Sequence, residues 1–388
     1  MTRIIEDNGV YSQPDYSSAT ALSSAANYIM NSPEPFTHTF RTYIRLRENG
    51  SLTLKFWHSN SVDSTWDLGQ EANGSEPGGE WSIEAAYISD GGSVPDGTVT
   101  AGSSVPLTFA GSRTKQVEAG ETFWSDEASL ELPEGHYLAF TWTIKTLSPG
   151  KTLPYNVEGI LVSAYDGPGN LAGQESAEAF SLSDKLLVLP SYIGYKKQVA
   201  KKLVFLGDSI TQGVRTEKDQ YSYWAARIAA GLGTDYGLWN IGSGWGRAYD
   251  VAADGPWMNK AKQGDEVLIV FGVNDLDIGQ RSAEELLRDL SDIIAKIKEA
   301  NGGAEIILST VPPFNFAEER EQAWRKVNMA ILTNPPAGVS RVFDIASVLA
   351  MPAPAEHRIR AEYMSGEYDP HPNGTAGKAV AEAFLAWY

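Results

Sequence analysis

A short apolar run in "KKLVFLGDSITQGV" ends at Gly207-Asp208-Ser209. A serine hydroxyl is a weak nucleophile until a base removes its proton, so Ser209 raises the question of which histidine could serve it. Five histidines are present, and only His357 and His371 lie in the same half of the chain. His371 stands in the proline-bracketed loop "DPHPNG". His357 stands in "APAEHRIR", with Glu356 its only acidic neighbour in sequence. We therefore expect His371 to be the base, with His357 a surface residue. Attack on a carbonyl also places negative charge on oxygen, which preorganised N–H groups must meet. The backbone of "GSG" at 242–244, the amide of Asn274 in "GVND" and the N–H of Ser209 itself can supply such donors. Each feature alone is equally well read as a turn, because Gly, Asp, Asn and Ser favour chain reversals.

What separates these residues from ordinary turns is the frame that carries them. After about residue 195, strand-like runs (203–206, 238–241, 266–271, 306–310, 342–345) alternate with helical stretches (221–232, 283–300, 318–332, 376–387). Repeated strand–helix units predict a parallel sheet with helices on both faces. Ligands of such sheets bind beyond the carboxyl ends of the strands. Ser209 follows the first strand, the glycine block the second and Asn274 the third, while His371 precedes the last helix. All four fall at one edge.

The first half has a different grammar. "TFRTYIRLRENGSLTLKFWHS" alternates on both sides of Glu48-Asn49-Gly50 and predicts a β-hairpin. Further strands are expected in "WSIEAAYIS", "VPLTFAG", "ASLELP" and "YLAFTWTIK", and the loop "DLGQEANGSEPGGE" is expected to be mobile. Many short strands with Gly, Pro, Ser and Asp between them suggest an all-β sandwich, jelly-roll-like. The expected domains are therefore 1–195, β-sandwich, and 196–388, α/β.

The 388 residues carry a formal charge of −18 and no cysteine. Such acidity argues against nucleic acid or an anionic membrane as main partner, and the lack of cysteine excludes thiolate chemistry. The histidines are too scattered for a structural zinc site. The opening "MTRIIEDNGVYSQPDYSS" does not read as a signal peptide, and no apolar run approaches membrane-spanning length. A cytoplasmic protein is the expectation. Oligomeric state is not legible.

The ordered set "GDSITQG", "NIGSG", "GVND" and "DPHPN" resembles the SGNH (GDSL-type) hydrolases over roughly residues 200–388. The resemblance implies a flavodoxin-like α/β/α domain that hydrolyses esters with no metal or organic cofactor. By position, Ser209 matches the family's nucleophile, Asn274 its oxyanion asparagine and His371 its base. Two departures stand out. The family's Asp usually lies three residues before the His, where this chain has Tyr368. Asp369 lies two before, and Pro370 pushes it toward extended backbone, where residues two apart face one side. Asp369 is thus the expected partner of His371, with Glu367 or a backbone carbonyl as alternatives. The family's donor glycine also sits further from the Asn than Gly244 does from Asn240, and the ungapped match falls on Trp245. We choose Gly244, with Gly242 and Gly246 as alternatives.

The substrate is less legible. Asp208, Trp245 and Tyr249 are expected at the substrate site, and Trp257 lies nearby, although each aromatic is equally a core residue. The resemblance to two-domain members with a leading β-sandwich implies a carbohydrate O-acetylesterase, with a small-molecule or oligosaccharide ester as substrate. A general short-chain or lysophospholipase-type acylhydrolase is the alternative, and a glycan-binding protein on an inactive frame the non-enzymatic one. Trp57, Trp66, Trp81 and Trp124 could bind glycan, but a bracing role for the β half is preferred.

Overall fold

The computed structural model describes residues 9–63, 66–67, 70–71, 76–156, 161–183 and 185–388, with side chains omitted at 66–67 and 70–71. The side chain of Trp66 and residues 68–69 and 72–75 of the loop expected to be mobile lie outside the described residues.

The second half forms a five-stranded sheet from β1 (Lys201–Gly207), β2 (Tyr236–Asn240), β3 (Glu266–Val270), β4 (Glu305–Ser309) and β5 (Arg341–Phe343). Their order is β2-β1-β3-β4-β5 and every pairing is parallel. This is the flavodoxin-like order, which places a switch point between β1 and β3. Alternation along the strands separates two cores. Leu203 and Phe205 of β1, Leu268 and Val270 of β3 and Ile307 of β4 point to one face. That face is covered by α2 (Trp224–Leu232) and by the final helix (Gly374–Trp387) through Trp224, Ile228, Val380 and Phe384. Val204, Leu206, Val267, Ile269, Ile306 and Leu308 point to the other, which is covered by helices Pro256–Ala261, Ala283–Ala300 and Glu318–Thr333. The mixed α/β fold with a parallel sheet is thus as the sequence pattern predicts.

Before residue 200 the strands are antiparallel and fall mainly into two sheets. The smaller orders Tyr16–Ser18, Tyr192–Lys196 and Gly50–Ser59, with Thr122–Trp124 and Ala128–Leu132 both beside the last. The larger centres on Thr37–Ile44, Leu138–Lys145 and Trp81–Asp90. Leu52, Leu54 and Phe56 from one and Phe40, Ile83 and Trp142 from the other share a core.

The expected hairpin at Glu48-Asn49-Gly50 is not formed. Its two arms, Thr37–Ile44 and Gly50–Ser59, lie in different sheets. Alternation identifies the buried face of a strand and not its partner, so both arms satisfy the pattern while facing one another across the core. The crossing segment is pinned elsewhere: Arg47 N–H donates to Ala19 O, and its guanidinium donates to Ala229 O, Gly233 O and Tyr236 O. "VPLTFAG" is also shorter as a strand than expected, only Val105–Pro106.

The two halves are joined by buried polar contacts. Lys260 Nζ lies 2.7 Å from Asp63 Oδ2, with both side chains essentially inaccessible. Trp239 Nε1–H donates to Ser24 Oγ, and Ser23 Oγ–H to Gly242 O. The segment carrying Ser23 and Ser24 therefore lies directly under the glycine block. Among the described residues no helix is long and apolar enough to cross a membrane.

Candidate active site

Ser209 opens α1 (Ser209–Gln212), a single turn directly after β1. Its N–H is one of the first-turn groups that have no partner within a helix. The abrupt strand-to-helix turn needs Gly207, because a Cβ there would lie 2.1 Å from Thr211 Oγ1 and 2.6 Å from Val270 O. Asp208 caps the turn, its Oδ1 accepting from Ile210 N–H at 2.9 Å. Asp208 is 1% exposed, so its carboxylate is buried under the turn that it caps, and a direct substrate contact is not what that position offers. Burial, with the nearby Asp275 charge adding to it, pushes its carboxyl up to about 7.

His371 Nε2 lies 3.0 Å from Ser209 Oγ. Its other ring nitrogen, Nδ1, lies 2.7 Å from Asp369 Oδ1, and the same oxygen accepts from His371 N–H at 3.1 Å. Asp369–Pro372 is extended, which puts residues 369 and 371 on one side. Tyr368 is 87% exposed and Glu367 is exposed, so neither takes the place of Asp369. Hydrogen bonds from His371, aided by the Arg215 charge, hold the Asp369 carboxyl well below the usual carboxylate range despite partial burial. The ring of Phe314 meets the imidazole edge-on at 5.1 Å between centroids. His357 is buried elsewhere: its Nδ1 lies 3.1 Å from Glu321 Oε1 and it adjoins Arg325. Its acidic partner thus comes from the helix Glu318–Thr333, beyond Glu356, and it is not a surface residue.

The three glycines differ in what their N–H groups do. Gly242 N–H donates to Asn240 Oδ1 at 2.9 Å, and Gly246 N–H to Ser243 O at 3.1 Å. Gly244 N–H has no partner among the described residues. Gly242 is glycine because a Cβ would press into the backbone of α1, 2.4 Å from Gln212 N. Asn240 completes that contact by donating from Nδ2 to Thr211 O. Asn274, 8% exposed, gives one Nδ2 hydrogen to Gly246 O at 3.0 Å, which fixes the amide and leaves its second hydrogen. Asp275 accepts from Ala248 N–H and, at longer range, from Tyr249 N–H, tying the chain after the glycine block to the "GVND" turn. Burial raises its carboxyl to about 7 as well.

Trp245 is half-buried with φ of 65°. Tyr249 is 43% exposed, its ring lying under the Arg247 and Arg281 guanidinium groups. Trp257 is core, 1% exposed, donating to Ile241 O. In the β half, Trp57 and Trp81 are buried and Trp124 is half-buried. A groove of about 880 Å³ reaches Phe314, the ring that meets the imidazole, and takes in none of Ser209, Gly244, Asn274 or His371. It is lined by Phe314, Leu276 and a charged wall that includes Asp277, Arg281, Glu318 and Arg320.

Sequence reasoning missed Phe314, Asn240 and Arg215. A signal for Phe314 was present, since "VPPFNF" follows the fourth parallel strand at the edge where the other loops converge. Arg215 had none.

A hydroxyl, an imidazole and a carboxylate in hydrogen-bonded series beside unpaired N–H donors, at the carboxyl edge of a parallel sheet, are what acyl transfer through serine requires. Residues 205–376 match the GDSL-like Lipase/Acylhydrolase family. No curated protein matches the chain. Among solved structures, a family two carbohydrate esterase from Clostridium thermocellum is similar at 15% identity and TM-score 0.38, over 96% of this chain and 97% of that one. A carbohydrate esterase family 3 protein from Talaromyces cellulolyticus is similar at 18% identity and TM-score 0.36, over 48% of this chain and 95% of that one.

Proposed function

We propose that the protein is a serine esterase that removes O-acetyl groups from carbohydrates, xylo-oligosaccharides or related glycans. His371 takes the proton of Ser209 as its Oγ attacks the ester carbonyl carbon. The oxyanion accepts from the N–H groups of Ser209 and Gly244 and from Asn274 Nδ2. The C–O bond to the alcohol breaks as His371 returns the proton to the leaving oxygen. Water, activated by the same imidazole, then releases acetate from Ser209. Residues 1–195 act as a jelly-roll-like brace and 196–388 as the catalytic domain.

The observation that carries this reading is the unbroken series Asp369–His371–Ser209 at 2.7 and 3.0 Å. The charged wall of the adjoining groove supports a polar leaving group over a long acyl chain. The test is acetate release from acetylated xylo-, manno- and pectic oligosaccharides, alongside an ester series of rising chain length. Acetate release with preference for the acetyl group is expected. Activity that climbs with medium chains would point to a general acylhydrolase. Sugar binding with neither turnover nor organophosphate labelling of Ser209 would point to a binding protein.

A further inference from the structure

Asp369 has two carboxylate oxygens, and His371 uses only Oδ1. The other, Oδ2, lies 3.0 Å from Arg215 Nε. We propose that Arg215 is a positioning residue that acts through Asp369 on the orientation of His371; this rests on the esterase reading above.

The need for it follows from the spacing. Asp369 and His371 ride on the same short extended segment, paired among the described residues only with Met364–Gly366. A bond between them fixes the imidazole relative to its own loop and does nothing to hold that loop against Ser209. Arg215 comes from the other side of the site. The N–H groups of Gly213 and Val214 both donate to Ser209 O at 3.0 Å, so Arg215 hangs from the serine's own carbonyl. Its guanidinium closes a ring that runs from Ser209 through Arg215, Asp369 and His371 back to Ser209 Oγ.

The backbone around Arg215 is held in a form that carries strain. Arg215, Asp219 and Tyr221 have φ of 69°, 65° and 51°, a region that side chains disfavour. The β half clamps this loop. The Asp219 carboxylate accepts from Ser163 N–H and Oγ–H, both at 2.7 Å, and Asp219 N–H donates to Leu161 O. Arg45 N–H donates to Tyr221 Oη at 2.9 Å. Stability does not explain the arrangement, because the Arg215 side chain is 61% exposed and exposed ion pairs contribute little. Strain maintained by the surroundings is characteristic of functional positions.

A double-mutant cycle on the full chain tests the assignment. Arg215→Met, Asp369→Asn and the double variant are compared with wild type for acetate release and for fluorophosphonate labelling of Ser209, with Arg215→Lys as the conservative control. Arg215→Met is expected to lower kcat roughly tenfold, with KM changed less than about twofold and the melting temperature unchanged. Arg215→Lys should recover most of the loss, and Arg215→Met should cost nothing further in the Asp369→Asn background. A wild-type rate in Arg215→Met, a raised KM at unchanged kcat, or an undiminished loss in the Asp369→Asn background overturns the proposal. A wild type that neither turns over esters nor takes up the probe instead overturns the esterase reading, and this proposal with it.

Discussion

Before residue 195, nine of the ten described left-handed backbone positions are glycines, with Ala110 the exception; after residue 200, four glycines share that region with eight residues that carry side chains. The β half therefore turns its chain where turning is cheapest. The α/β half keeps side chains at strained positions, and five of the eight stand around the site. Trp245 follows the glycine block, Arg215 holds Asp369, and Gln280, Asn315 and Glu318 line the groove. The loops around the candidate site thus retain side chains at positions that carry a local cost of about 1 kcal/mol each.

Each half also buries groups whose charging is disfavoured, with opposite pH consequences for a histidine in one and two aspartates in the other. In the β half, burial and the Lys260 charge push His58 down to about 3, inside a cage of Trp81, Phe123 and Trp142. Its neutral form is native, so the unfolded chain gains a proton below about pH 6.5 that the folded one refuses. His58 therefore removes stability as pH falls from 6.5 toward 3. Beneath the serine, Asp208 and Asp275 are raised to about 7. The folded state keeps protons that the unfolded chain releases above about pH 4, so these two remove stability as pH rises from 4 to 7.

The contrast can be broken most severely at the rim. Ser209→Ala should lower ester turnover by about 10⁴-fold or more and leave the urea midpoint in place; a fully active variant would refute the assignment. Asn274→Ala should cost about 10²- to 10³-fold in kcat, provided circular dichroism shows an intact fold, and a loss confined to KM would remove the residue from the oxyanion role. Asp208→Asn should gain stability relative to wild type at pH 8 over pH 5, by on the order of 2 kcal/mol, read from urea midpoints. His58→Phe should gain in the opposite direction, at pH 5 over pH 8; identical pH profiles for the two variants would contradict the contrast. The smallest effects come from relieving strain. Ala110→Gly and Gln280→Gly should each stabilise by about 1 kcal/mol, but only the second should raise KM, by roughly threefold.

Much of the site was readable because chemistry restricts residue type. Few residues can be base, nucleophile or amide donor, and strand–helix alternation dictates which loops meet. Gly244 could not be separated from Gly242 and Gly246 by sequence, since the difference lies in which N–H is already spent, on Asn240 Oδ1 or Ser243 O. Strand pairing in the β half was illegible for a related reason: alternation reports burial, and the arms flanking Glu48-Asn49-Gly50 are buried against each other without being bonded. Arg215 was invisible because its partner lies far along the chain and its loop is shaped by contacts with Ser163 and Arg45.

The central claim is that Ser209 is activated by His371, and intact-protein mass spectrometry after fluorophosphonate treatment tests it most directly. A single adduct is expected, mapped to the peptide carrying Ser209, formed in wild type and lost in His371→Ala. An adduct on another residue, or equal labelling in the histidine variant, would contradict it.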